Sequence, residues 1–157
     1  MIALGAAPRY SLRPGRPGDQ GYVTSTWLRS LQNAPGCRKV PRSSFYKAHG
    51  TDVDRLLDRP DVRIVVACDP ADIDAILGWL CYTQMPPSML ALHYVYVRAE
   101  DRLGVELRRR GIARALLEAA REGLTRDTKL VYTYKGPSEK ALLATHPATY
   151  VPVGRFL

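Results

Sequence analysis

Apolar positions along the chain follow two periods, and each change of period marks an element. Residues 10–13 read as a short strand, closed by the Pro/Gly turn of residues 14–18. Asp19 stands where it can cap the next helix, on which Val23, Trp27 and Leu31 form an apolar stripe at i, i+4, i+8. Residues 32–42 are a loop around Pro35-Gly36. Residues 43–49 are expected to form a short helix ended by Gly50. Thr51-x-x-Asp54 is expected as the capping box of a second short helix carrying Val53, Leu56 and Leu57 and stopped by Pro60.

Strand patterns then take over. Residues 62–68 are β-branched and apolar, residues 69–74 are a turn cluster, and residues 75–82 read as an antiparallel return strand. Residues 84–88 break the chain again. Met89–Val97 is the most apolar run, and such a strand is expected to be central and covered on both faces. Residues 112–122 give a helix burying Ile112, Leu116, Ala119 and Gly123, with Ala113, Leu117 and Ala120 beside them. Residues 130–135 form the next strand, and a strand–helix–strand order means a crossover and a parallel pair. Residues 139–145 read as a short helix with Ser138 as its cap, and residues 150–157 as a strand-like tail. There is no internal repeat.

Composition narrows the class. A chain of 157 residues is expected to fold as one domain, 1–157, with residues 1–8 a flexible leader or first strand. No apolar run approaches the ~18 residues of a membrane span, so no membrane partner is expected. Cys37, Cys68 and Cys81 form no CxxC pair and fit free thiols in the cytoplasm. His49, His93 and His146 show no metal spacing, so no metal is expected. The net charge of +8, from 23 basic and 15 acidic residues, permits nucleic acid, an acidic protein or a polyphosphate as partner. Solubility together with a cofactor carrying several phosphates accounts for it equally well.

The chemistry concentrates after the apolar strand, at Arg108-Arg109-Arg110-Gly111-Ile112-Ala113. A Gly at the mouth of a helix lets the free N–H groups of the first turn approach an anion, and the helix dipole helps hold it. Three adjacent arginines before that Gly point to phosphate rather than to a merely solvated face. A doubly wound nucleotide fold would want G-x-G-x-x-G after its first strand, and none is present.

The strand of residues 92–97, the motif Arg108-x-x-Gly111-x-Ala113 and the Ala/Leu-rich helix after it resemble the GNAT superfamily of N-acetyltransferases. The element order agrees from about Tyr10 onward. Residues 77–80, 93–97 and the Arg-rich turn look most like GNAT proteins met in phages and prophages. The resemblance implies an α/β (α+β) fold, a mixed, mostly antiparallel sheet with helices on both faces. It implies acetyl-CoA, or another acyl-CoA, as donor, with the pyrophosphate on backbone N–H groups of residues 108–113. It implies a pantetheine arm paired with Val95 and Val97 beside a bulge near there, with Ser138 bonding the arm or serving only as a helix cap.

The reaction implied is direct attack of a primary amine in a ternary complex. A Tyr hydroxyl is that superfamily's usual proton donor, and this chain offers Tyr94, Tyr96, Tyr132, Tyr134 and Tyr150. Tyr150, just after the last helix, is nearest the donor's expected place, and Tyr96 lies on the central strand. No Glu stands on that strand as base, so His93 is the candidate there, a satisfied core His being the other reading. The acceptor is open between a small polar amine, a protein N-terminus or lysine, and a nucleic-acid amine. The clusters Arg9/Arg13/Arg16 and Arg38/Lys39/Arg42/Lys47 favour an anionic one. A degenerate CoA-binding or basic partner-binding module is the non-enzyme reading, and the protein is expected as monomer or homodimer.

Overall fold

The apolar runs pair into one sheet. The computed structural model describes residues 9–34, 36–108, 110–136 and 139–157, with side chains of the last segment from Leu142 on. Six strands lie in sequence order: β1 Ser11–Pro14, β2 Val62–Asp69, β3 Asp72–Met85, β4 Met89–Val97, β5 Lys129–Tyr132 and β6 Ala148–Tyr150. Pairing is antiparallel from β1 to β4 and parallel from β4 to β6. Four helices complete the fold: α1 Gln20–Gln32, α2 Arg42–Leu57, α3 Ile112–Ala120 and α4 Glu139–Thr145.

Side chains alternate across a strand, so one run of sequence supplies two cores. Val66, Cys68, Trp79, Cys81 and Tyr94 pack against Val23, Trp27 and Leu31 of α1 and Phe45, Val53 and Leu56 of α2. Val65, Ala67, Leu80, Leu92, Val95 and Val97 pack on the opposite face against Ile112, Leu116, Leu117 and Ala120 of α3 and Leu142 of α4. Helices therefore cover both faces of the mixed sheet.

Several boundaries differ from the sequence pattern. Residues 42–57 form one helix, not two. Gly50 passes through it, where an added Cβ would meet Leu28 Cδ1 at an ordinary 3.8 Å, and the Thr51 hydroxyl donates back to Lys47 O at 3.0 Å instead of capping a new helix. Burial of Phe45, Val53 and Leu56 on one face outweighs the ~1 kcal/mol an interior Gly costs. Asp19 precedes α1 but makes no capping bond to it. Its carboxylate instead takes both Arg13 guanidinium nitrogens, at 2.7 and 3.0 Å, and the Arg16 N–H at 2.7 Å. Those bonds hold its pKa below the usual carboxylate range. β3 is longer than expected and runs to the Pro86-Pro87 turn, whereas β5 stops at Tyr132 and α3 at Ala120. The tail is a three-residue strand followed, after Pro152, by a 3-10 turn at Val153–Phe156.

Candidate active site

β4 supplies the frame. On one side it pairs with β3 along its length, from Met85↔Met89 to Gly78↔Val97, and beyond it Arg98 N donates to Leu77 O at 2.8 Å. On the other side its pairing with β5 ends at Leu92↔Tyr132, followed by Thr133 N donating to Leu92 O at 3.0 Å. The two strands part there, leaving a wedge along the second half of β4. Cys81 faces Tyr94 and Tyr82 faces Leu92, so His93 is an extra residue, a β-bulge. The bulge expected near Val95 and Val97 lies at His93. Counting back by twos from Arg98, Tyr96 and Tyr94 turn their backbone toward β3. Val97 and Val95 turn theirs toward the wedge.

The chain leaves β4 and returns through a folded loop to α3. Asp101 Oδ1 accepts from Leu103 N at 2.8 Å and Val105 N at 2.9 Å, and Leu107 N donates to Ala99 O at 2.9 Å. Arg108 and Arg110 are exposed at its end, with Arg110 Nε donating to Glu106 O at 3.2 Å. Gly111 caps α3 at φ +80°, a left-handed conformation that suits Gly, and a Cβ there would meet nothing within 4 Å. Ala115 N makes the first bond of the helix, to Gly111 O at 2.9 Å, so the N–H groups of Ile112, Ala113 and Arg114 have no partner within it. Among the described residues no side chain caps this end. Buried Ile112 seats the mouth on the sheet. Beneath it residue 78 is Gly, where an added Cβ would touch Ile112 Cγ2 at 3.4 Å and clash with Tyr96 O at 2.8 Å. Arg109 and Ser138 lie outside the described residues.

The catalytic candidates fall in separate places. His93 is 0% exposed, with Nε2 bonded to Thr83 Oγ1 at 2.8 Å and Nδ1 to Thr133 Oγ1 at 2.9 Å. Burial lowers its pKa to about 4, so it is neutral and fully engaged at neutral pH, a core residue rather than an available base. Tyr96 packs between Trp79 and Tyr22, at 6.1 and 6.5 Å between ring centroids, under the first half of α1. Burial pushes the Tyr22 hydroxyl up to about 12. Tyr150 is 40% exposed on β6, its ring against Tyr132 at 5.3 Å with the Lys135 ammonium 4.5 Å above it. One whole strand, β5, separates it from β4.

The tyrosine brought to the wedge is Tyr134. It follows β5 just past the parting point, 6% exposed, edge-on to Trp27 at 5.3 Å and to Tyr94 at 6.4 Å. Its hydroxyl is buried and has no hydrogen-bond partner among the described residues, and the same holds for Trp27 Nε1 beside it. Burial raises the Tyr134 pKa well above its ordinary value, so the proton stays on the oxygen at neutral pH. Alternation in residues 130–135 would put Tyr132 and Tyr134 on one face, yet Tyr132 packs with the α3 core and Tyr134 with the α1 and α2 core. That alternation carries no signal that the pairing with β4 stops between them.

No protein-family model and no curated protein matches the sequence. Solved structures do match its fold. A Pyrococcus furiosus protein described as an acetyl transferase superposes with a TM-score of 0.64 at 15% identity, covering 90% of this chain and 95% of that one. An aminoglycoside N-acetyltransferase in complex with CoA gives 0.52 at 14% identity, covering 93% and 88%. A ribosomal-protein-alanine N-acetyltransferase from Brucella melitensis gives 0.52 at 16% identity, covering 90% and 93%. The chain has the fold of the GNAT N-acetyltransferases.

Proposed function

We propose that this protein is an acyl-CoA-dependent N-acetyltransferase. The observation that carries the reading is the placement of an open, uncapped helix mouth at Gly111 directly after the strand that β5 leaves at Leu92. An amide-rich arm ending in a pyrophosphate needs those two features side by side. The donor set fits such a group. Ile112, Ala113 and Arg114 offer N–H groups to phosphate oxygens, Arg108 and Arg110 offer charge, and the Val97 backbone faces the wedge where the arm would lie. When bound, acetyl-CoA supplies an activated acyl group and a thiolate leaving group.

Tyr134 replaces Tyr150 as the proton donor in this reading. Tyr134 follows β5 where its pairing with β4 ends, its buried hydroxyl has no partner among the described residues, and its raised pKa keeps it an acid. Trp27 Nε1–H is a second donor in the same buried cluster, available to developing negative charge. The amine loses its proton to water or the acceptor's own surroundings, because His93 is engaged on both nitrogens. CoA release from acetyl-CoA in the presence of a panel of amines, read by a thiol reagent, tests the activity. The reading predicts amine-dependent release. CoA binding with no release across the panel would instead support a binding module.

A further inference from the structure

Residues 20–51 contain five cations, Arg29, Arg38, Lys39, Arg42 and Lys47, and no acid. All five are exposed. The ion pairs among the described residues use other cations, Arg13, Arg16, Arg59 and Arg102. Local roles explain two of the five. Arg29 suits the negative end of α1, and Arg38 Nε donates to Asn33 O there at 2.8 Å. Arg42 lies over the Tyr46 ring at 5.3 Å, which leaves its charge exposed, and no contact among the described residues explains Lys39 or Lys47. Lys39 and Arg42 stand at the positive end of α2, where the dipole opposes cations and the first turn holds no acid. CoA does not account for them either, because α1 and α2 cover one face of the sheet and the α3 mouth belongs to the other.

We propose that this surface docks the phosphate backbone of a nucleic acid, which carries the acceptor amine. Exposed Ser43 and Ser44 beside Arg42 complete a set of side chains that contact phosphates. An acidic protein would need apolar anchors, and the exposed large hydrophobic of this segment is Val40 alone. Phosphate binding needs none, since counterion release drives it. The surface adjoins the wedge, for the Ser30 hydroxyl, next to Arg29, bonds the Tyr94 hydroxyl, and Trp27 meets Tyr134. Calling the nucleic acid the acceptor rests on the acyl-transfer reading, whereas its binding does not.

Fluorescence anisotropy with a labelled single-stranded oligonucleotide tests this, with a polyglutamate peptide as rival. Five contacts predict a log Kd versus log salt slope of magnitude about 3.5. Arg38→Glu with Arg42→Glu and Lys47→Glu should weaken oligonucleotide binding more than tenfold and lower that slope by about 2. The stabilisation by CoA should be unchanged in this variant. Unchanged oligonucleotide binding in the triple variant, a flat salt dependence, or equal binding of polyglutamate would overturn the proposal. Radiolabel transfer from acetyl-CoA to the oligonucleotide or to an unmodified tRNA would support its acceptor role. CoA stabilisation without oligonucleotide binding would sink this inference alone. Oligonucleotide binding without CoA stabilisation would sink the acyl-transfer reading and leave the docking surface standing.

Discussion

The Tyr134 hydroxyl carries a cost in the free protein. A buried, unpartnered polar group destabilises by about 1–3 kcal/mol, so Tyr134→Phe should melt higher than wild type. The same change should lower kcat about a hundredfold or more, the usual worth of a positioned proton donor. Tyr150→Phe should alter neither, because that ring lies exposed beyond β5. If Tyr150→Phe loses turnover and Tyr134→Phe does not, the assignment of the acid reverts to Tyr150. His93 makes a prediction in pH. Its folded pKa is about 4, against ~6.5 for an unfolded His, so between these values the unfolded chain holds more protons. Stability should be full above pH ~6.5 and fall by up to ~3 kcal/mol as pH drops toward 4. His93→Gln should flatten that slope in denaturant titrations at pH 7 and pH 5. An unchanged slope would mean that other groups carry it. The choice between base and core histidine was not legible in sequence, because the deciding partners, Thr83 and Thr133, lie on β3 and just after β5.

Elements were legible where period and burial agree. Met89–Val97 shows its length directly, since every strand residue after Met89 packs except the half-buried Tyr96. The first turn of α3 was legible too, because Arg and Gly before an apolar helix have few other uses. α2 was not, because Gly50 and the Thr51-x-x-Asp54 pattern are local stop and start signals that burial overrides. Gly50→Ala separates the two descriptions. In a continuous helix it should stabilise the protein by about 0.5–1 kcal/mol, with Leu28 Cδ1 at an acceptable 3.8 Å. At a left-handed helix terminus it would destabilise instead, so a loss in urea unfolding would contradict one helix over 42–57. The bulge at His93 has no local signal either, since it exists only in the pairing of β4 with β3. Gly78 is the counterpart of that pairing. Gly78→Val forces a Cβ to within 2.8 Å of the Tyr96 carbonyl and should cost about 1–3 kcal/mol.

At the scale of the whole molecule, the sheet divides two surfaces that sequence order interleaves. The α3 mouth, with Arg108 and Arg110, belongs to one face, and the acid-free run from α1 into α2 to the other. The point past Leu92 where β4 and β5 part lies between them in the sheet. The donor side was legible because its parts are contiguous, one strand and the helix that follows. The proposed acceptor side was not, since Tyr134, Trp27 and the basic surface come from three distant segments. Among the described residues no helix is long and apolar enough to cross a membrane. Calorimetric titration of CoA into wild type and Gly111→Val asks whether the Gly111 mouth and the wedge hold CoA. Val at φ +80° strains the mouth by roughly 1–2 kcal/mol, which a folded domain can carry, and fills the open space above it. Wild type should bind CoA with one site and gain about 2.7 kcal/mol of stability at a hundred times its Kd, while the folded Gly111→Val protein should bind none. No heat of binding to wild type, or equal binding to the folded variant, would contradict the account.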